Sequence, residues 1–98
     1  MGLNSLLIEG KIAKRNETVI SLETCRILRS GAEEKSYITV YAPKNYGKVL
    51  EEKGQIGREI RVVGRLQQLQ YTEDDKIHSK VVVIAEHVEF RMTEEKTA

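Results

Sequence analysis

Residues Gly57–Leu69 read GREIRVVGRLQQL, and a second run, Ser79–Phe90, reads SKVVVIAEHVEF. Both runs are rich in β-branched residues and predict long strands. The acidic cluster Glu73–Asp75 between them predicts a short turn. Gly64 interrupts the first strand, and a glycine at such a position indicates a bulge or a sharp bend at the corner of a barrel.

The rest of the chain predicts three more strands and one helix. Asn45–Lys53 is the helical candidate, because Val49 and Leu50 give it an apolar edge and Gly54 suits the position just after a helix. Pro43 ends the strand before it. The predicted strands are, in chain order, Leu3–Ile12, Thr18–Arg29, Tyr37–Tyr41, Glu59–Leu69 and Lys76–Phe90, with Ser30–Lys35 as a loop.

This order of elements is typical of an OB-fold. The chain is predicted to be all-β, a five-stranded Greek-key barrel with one short helix between strands 3 and 4. Its 98 residues suffice for one hydrophobic core. We predict a single domain over residues 1–91 and a short, polar, frayed tail over residues 92–98.

The overall composition excludes some functions. Net charge is +1, with 16 basic and 15 acidic side chains, so charge alone does not indicate a nucleic-acid partner. Residues 1–71 are net +4 and residues 72–98 are net −3, which is weak evidence for an anion-facing body. No apolar run approaches the roughly 18 residues of a membrane span, no signal peptide is visible, and the single cysteine fits a reducing compartment. A cytoplasmic protein is expected.

Several segments resemble bacterial single-stranded DNA-binding proteins. That family has an OB-fold, usually assembles as a homotetramer, and binds single strands with little sequence preference, so the resemblance implies the same here. The family's long acidic tail has no counterpart, which suggests a short form. The resembling segments are Asn4–Gly10 (NSLLIEG), Ser36–Val40, Leu50–Gly54, Ile60–Leu66 (IRVVGRL), Tyr71-Thr72 and Ser79–Phe90.

The same resemblance points to aromatic side chains that would stack on bases. It places Tyr37 and Tyr71 at two of the family's aromatic positions, whereas Leu28 replaces a third. Tyr41 shares strand parity with Tyr37 and is a further candidate. A sequence-tolerant binder also needs positive charge along a groove. Eight basic residues are candidates for contacts with phosphates, and the alternative is that they only solvate the surface. They are Lys11, Lys14, Arg15, Arg26, Arg29, Lys35, Arg65 and Lys80.

No enzyme, cofactor or metal site is predicted. His78 and His87 are nine residues apart on one predicted strand, so they face opposite sides unless a bulge intervenes. Cys25 has no histidine or second cysteine nearby in sequence, and a buried, inert thiol is expected.

The leading hypothesis is a non-catalytic binder of single-stranded DNA in replication, repair or recombination, in the bacterial cytoplasm at the nucleoid. One alternative is a dimeric primosomal replication accessory protein that also contacts replication proteins. Another is a protein-interaction module without nucleic-acid binding. A homo-oligomer, tetrameric or dimeric, is expected to form through Leu6–Ile8 and Val81–Ile84, since Val81–Ala85 is apolar on both strand faces.

Overall fold

The computed structural model describes residues 4–91, which form a closed barrel with the strand order β1-β2-β3-β5-β4. All neighbouring strands are antiparallel except β3 and β5, which are parallel. The predicted all-β OB-fold is therefore confirmed. Its elements are β1 Leu6–Asn16, β2 Val19–Ile27, β3 Glu33–Tyr41, a 3₁₀ turn Lys44–Tyr46, α1 Gly47–Lys53, β4 Glu59–Glu73 and β5 Lys76–Phe90.

Three strands are longer than the sequence predicts. β1 continues to Asn16, although the prediction ended that strand at Ile12. β3 begins at Glu33, within the predicted loop, because cross-strand contacts such as the 3.1 Å ion pair of Arg26 and Glu34 hold polar residues in the ladder. β4 continues to Glu73 as part of a hairpin arm that extends beyond the barrel. The predicted polar tail, residues 92–98, lies outside the described residues, as does Leu3.

The bulge predicted at Gly64 is confirmed. Val63 pairs with His87 and Gly64 pairs with Ala85, so Glu86 is the extra residue on β5. A Cβ on Gly64 would collide with the carbonyl oxygen of Ile84, which explains the glycine. A second bulge lies in β1 at Ala13, between the Ile12 and Lys14 pairings.

The barrel interior is aliphatic, and α1 closes one end of it. Leu50 of α1 is fully buried among the strand side chains, and burial of one such side chain contributes about 1.5–3 kcal/mol. Within residues 4–91, no helix has the length and apolarity that crossing a membrane requires. The other core side chains include Ile12, Ile20, Leu22, Val40, Ile60, Val62, Val83 and Val88.

Candidate nucleic-acid interface

The parallel pairing of β3 with β5 sets which side chains share the outer face of the barrel. Val40 pairs with Val83, and both side chains are buried in the core. The next pair, Tyr41 and Ile84, therefore lies on the outer face. Because strand side chains alternate, Tyr37 lies on that face with Tyr41.

The β4–β5 arm extends the same outer face. Arg65 pairs with Ile84, which places Arg65 on the outer face. Farther along the arm Leu69 pairs with Lys80 and Tyr71 pairs with His78, four and six residues from Arg65, so both pairs lie on the same side as Arg65. The bulge at Glu86 lies on the other side of Ile84, so it does not disturb this register.

Strands β1 and β2 complete the face on its other side. Tyr37 pairs with Glu23 of β2, and Glu23 pairs with Lys11 of β1. Lys14 pairs with Ser21, two residues from Glu23 on the same side of β2. Lys35 lies two residues before Tyr37 and joins the same face. We call this continuous surface the outer face. Its candidate residues are Lys11, Lys14, Lys35, Tyr37, Tyr41, Arg65, Tyr71 and Lys80.

The other three candidate arginines lie elsewhere. Arg26 has the strand parity of the buried Leu22, opposite to that of Glu23, and forms its ion pair with Glu34 there. Arg15 pairs with the buried Ile20, and its guanidinium donates to the Glu17 carbonyl at 2.9 Å. Arg29 follows the end of β2, in the turn that leads to β3.

Tyr37 lies on the outer face and is 60% exposed. Its hydroxyl donates to Glu23 Oε1 at 3.1 Å, and Lys35 Nζ lies 4.0 Å from the same oxygen. The phenol is thus fixed at one edge, while its ring remains accessible. An exposed, oriented ring is suited to stacking on a nucleobase.

Tyr71 forms a second aromatic platform, and its partner was not recognised from the sequence. Its ring stacks on His78 with centroids 5.4 Å apart and 22° between the ring planes. Tyr71 is 44% exposed. Tyr71 and His78 are each three residues from the Asp74-Asp75 turn, so they pair across the hairpin. Their pairing could have been predicted from the sequence by counting residues outward from that turn.

Positive charge on the outer face is only partly neutralised. Lys11, Lys14 and Lys80 enter no ion pair with any residue in 4–91. Arg65 donates to Gln67 Oε1 at 3.0 Å. Because glutamine is neutral, this hydrogen bond does not neutralise the charge of Arg65. Glu23 lies in the middle of this surface and is held by Tyr37 and Lys35. Glu59, which pairs with Lys11, and Glu33 of β3 also face outward.

Cys25 differs from expectation in position, and the bulge in β5 decides the placement of the two histidines. Cys25 is exposed on the outer side of β2, opposite Lys35, so the prediction of a buried thiol is wrong.

The bulge brings His78 and His87 to the same side of β5, but nine strand residues, about 30 Å, separate them. His87 Nδ1 lies 3.2 Å from the Tyr46 hydroxyl. Residues 4–91 contain no cluster of His, Cys, Asp or Glu suited to a metal ion.

The apolar segments predicted to join subunits are partly buried within one chain. Val82 and Val83 face opposite sides of β5, and both are buried without a partner. Val81 is 61% exposed and, with Leu7 and Leu66, lines an apolar groove of about 390 Å³. Part of the predicted interface is therefore available for another surface.

Three solved structures of single-stranded DNA-binding proteins share this fold. The SSB of Plasmodium falciparum in complex with ssDNA matches with a TM-score of 0.76 and 15% identity, over 94% of this chain and 97% of that one. The single-stranded DNA binding protein of Thermus aquaticus matches with a TM-score of 0.69 and 23% identity, over 95% of this chain but 52% of that one. The small single-stranded DNA-binding protein of Streptomyces coelicolor matches with a TM-score of 0.66 and 12% identity, over 94% and 97%.

The sequence itself matches no protein-family model and no curated protein. Identities of 12–23% to the solved structures establish a common fold. The resemblance to single-stranded DNA-binding proteins that the sequence predicts is confirmed at that level.

Proposed function

We propose that this protein binds single-stranded DNA with little sequence preference and without catalysis. One observation carries the proposal. Eight of the eleven candidate residues lie on the outer face, with Lys11 and Lys14 on β1, Tyr37 on β3, and Lys80 and Tyr71 on the β4–β5 arm. Unpaired bases would stack on Tyr37 and on the Tyr71–His78 pair, and Lys11, Lys14 and Lys80 would contact phosphates.

The energetics of this surface suit a binder of moderate affinity. Each stacked base contributes about 1–3 kcal/mol, so two platforms provide about 2–6 kcal/mol per subunit. Lysine contacts to phosphate add a term that weakens as salt rises, because binding releases counterions. Several subunits on one strand would raise the effective local concentration and strengthen binding further.

An assembly of several subunits belongs to the same proposal. The exposed groove lined by Leu7, Leu66 and Val81 supports a homo-oligomer, a tetramer or a dimer. Protection of single strands during replication, repair or recombination, in the cytoplasm and alongside replication proteins, is the role that such binding would serve. The sedimentation coefficient distinguishes a tetramer from a dimer. A tetramer favours the single-strand binder, and a stable dimer favours the alternative of a primosomal replication accessory protein.

A titration of labelled oligo(dT), followed by fluorescence anisotropy at about 50 mM and about 200 mM salt, tests the proposal. We expect binding at low salt that weakens markedly at high salt. Absence of binding at low salt, or an affinity that salt leaves unchanged, would contradict it. The double variant Tyr37→Ala, Tyr71→Ala separates binding from a pure protein-interaction role, which requires neither ring.

A further inference from the structure

A cavity of about 570 Å³ opens on the outer face beside Tyr37. Its lining includes Lys11, Lys14, Ser21, Glu23, Tyr37 and Ile56. The bulge at Ala13 helps to create it, because the extra residue displaces β1 between the Ile12 and Lys14 pairings. Ala13, Ser21 and Gly57 are the small residues of its lining.

Two walls of the cavity suit the flat faces of a nucleobase. Tyr37 provides an exposed ring, and Ile56, 66% exposed, provides an aliphatic surface from the loop between α1 and β4. That loop is fixed to β1, since the Gly57 amide donates to the Ile12 carbonyl at 2.7 Å. An exposed isoleucine on an anchored loop gains apolar contact when a base enters.

Lys11, Lys14 and Ser21 are polar residues of the cavity lining, and Glu23 supplies its carboxylate. Glu23 has a side chain only 23% exposed, and both Tyr37 and Lys35 contact its Oε1. Among the described residues, Oε2 has no hydrogen-bond partner. An ionised carboxylate can only accept hydrogen bonds, so it selects for N–H donors on a ligand.

We propose that this cavity is a subsite for one unpaired base and that Glu23 gives it a preference for guanine. Guanine presents adjacent N1–H and N2–H donors to a carboxylate. Cytosine and adenine present one amino group beside an acceptor nitrogen. Thymine presents one N–H flanked by two carbonyl oxygens, which the carboxylate repels. The inference rests on the proposed function and adds a modest preference at one position to otherwise tolerant binding.

Short oligomers test the preference, because a strand of about six nucleotides spans few registers. The comparison is oligo(dT) with the same oligomer carrying one central dG or one central deoxyinosine, which lacks the N2 amino group. We expect the dG oligomer to bind at least about fivefold more tightly than oligo(dT), with deoxyinosine intermediate. Equal affinities for all three would overturn the inference.

Variants of Glu23 and of its partner assign the preference to the carboxylate. Glu23→Gln keeps an oxygen that accepts a hydrogen bond from Tyr37, and its amide N–H can donate to a thymine carbonyl. The ratio of the affinity for the dG oligomer to the affinity for oligo(dT) should therefore fall to about one. Tyr37→Phe keeps the ring and leaves Glu23 in place, so the ratio should persist. A ratio that Glu23→Gln leaves unchanged would contradict the assignment.

Lys80→Met is the matched control, because Lys80 lies on the outer face but away from the cavity lining. It should weaken the binding of both oligomers equally and leave the ratio of their affinities unchanged.

The two proposals fail in different ways. If the wild-type protein binds no oligomer at low salt, the proposed function fails, whereas equal binding of dG and dT oligomers overturns the guanine subsite alone.

Discussion

Tyr71 and His78 stack across the β4–β5 arm, with ring centroids 5.4 Å apart. Each ring covers one face of the other. The pair therefore presents an aromatic surface on the hairpin that extends beyond the barrel. Aromatic pairs of this kind contribute about 0.5–1.5 kcal/mol beyond their burial.

This relationship predicts that removal of either ring weakens binding of oligo(dT). Tyr71→Ala should reduce the affinity by about 1–2 kcal/mol, and His78→Ala by less, since His78 mainly orients Tyr71. Ile77→Ala is the control, because Ile77 is exposed on the opposite side of the same arm. Anisotropy titrations measure all three. If Ile77→Ala weakened binding as much as Tyr71→Ala, the outer face would not be the binding surface.

Charge on the outer face should determine the salt dependence. Lys14→Met should reduce the slope of log K against log salt by about 0.7, the value for one phosphate contact on a single strand. Arg26→Met should leave the slope unchanged, because Arg26 lies on the opposite side of β2 and is paired with Glu34. Titrations at several salt concentrations give both slopes. Equal slopes for Lys14→Met and the wild type would remove Lys14 from the proposed contacts.

The turn between β4 and β5 carries conformational strain. Asp74 and Asp75 both have positive φ, 52° and 61°, as the central residues of a type I′ hairpin turn do. Asp75→Gly should therefore stabilise the fold by about 0.5–1 kcal/mol, and Asp75→Ala should not. Urea unfolding measures both changes. Destabilisation by glycine would indicate that the aspartate side chain itself holds the turn.

Gly64 should be intolerant of any side chain. Gly64→Ala places a Cβ against the Ile84 carbonyl oxygen and should cost about 1–3 kcal/mol in stability. Gly47→Ala is the contrasting variant, since Gly47 has helical dihedrals and a Cβ added there would lie 3.8 Å from its nearest neighbour, on Thr18. That substitution should be neutral or stabilising. A Gly64→Ala protein as stable as the wild type would mean that the bulge can relax.

The apolar groove predicts where subunits meet. Val81→Lys should lower the mass of the assembly in sedimentation, because a charge in a buried contact is costly unless it is paired. Ile27→Lys is a suitable control, since Ile27 is also exposed but lies at the end of β2 in the other hairpin. If the mass were unchanged by Val81→Lys, the subunits would associate through another surface.

Much of the barrel could be predicted from local patterns. The Ile60-to-Leu66 alternation and the break at Pro43 are visible within a few residues, and so is the glycine at the bulge. The extent of β3 could not be read in this way, because Glu33–Ser36 are polar and become a strand only through pairing with Thr24–Ile27. The exposure of Cys25 was missed for the same reason, since that half of β2 lies in a hairpin outside the core.

The sequence by itself determined the order of strands and helix, because alternation, turn residues and glycines act over short distances along the chain. Through resemblance it also indicated Tyr37 and Tyr71 as candidates for base stacking, and the structure exposes both rings. Tertiary structure alone decided which cations accompany them, separating Lys14 and Lys80 from Arg26 and Arg15. The physical reason is register. A single residue of shift turns a side chain to the other side of a sheet, and the pairings of β3 with β5 and of β1 with β2 depend on the closed barrel and its bulges.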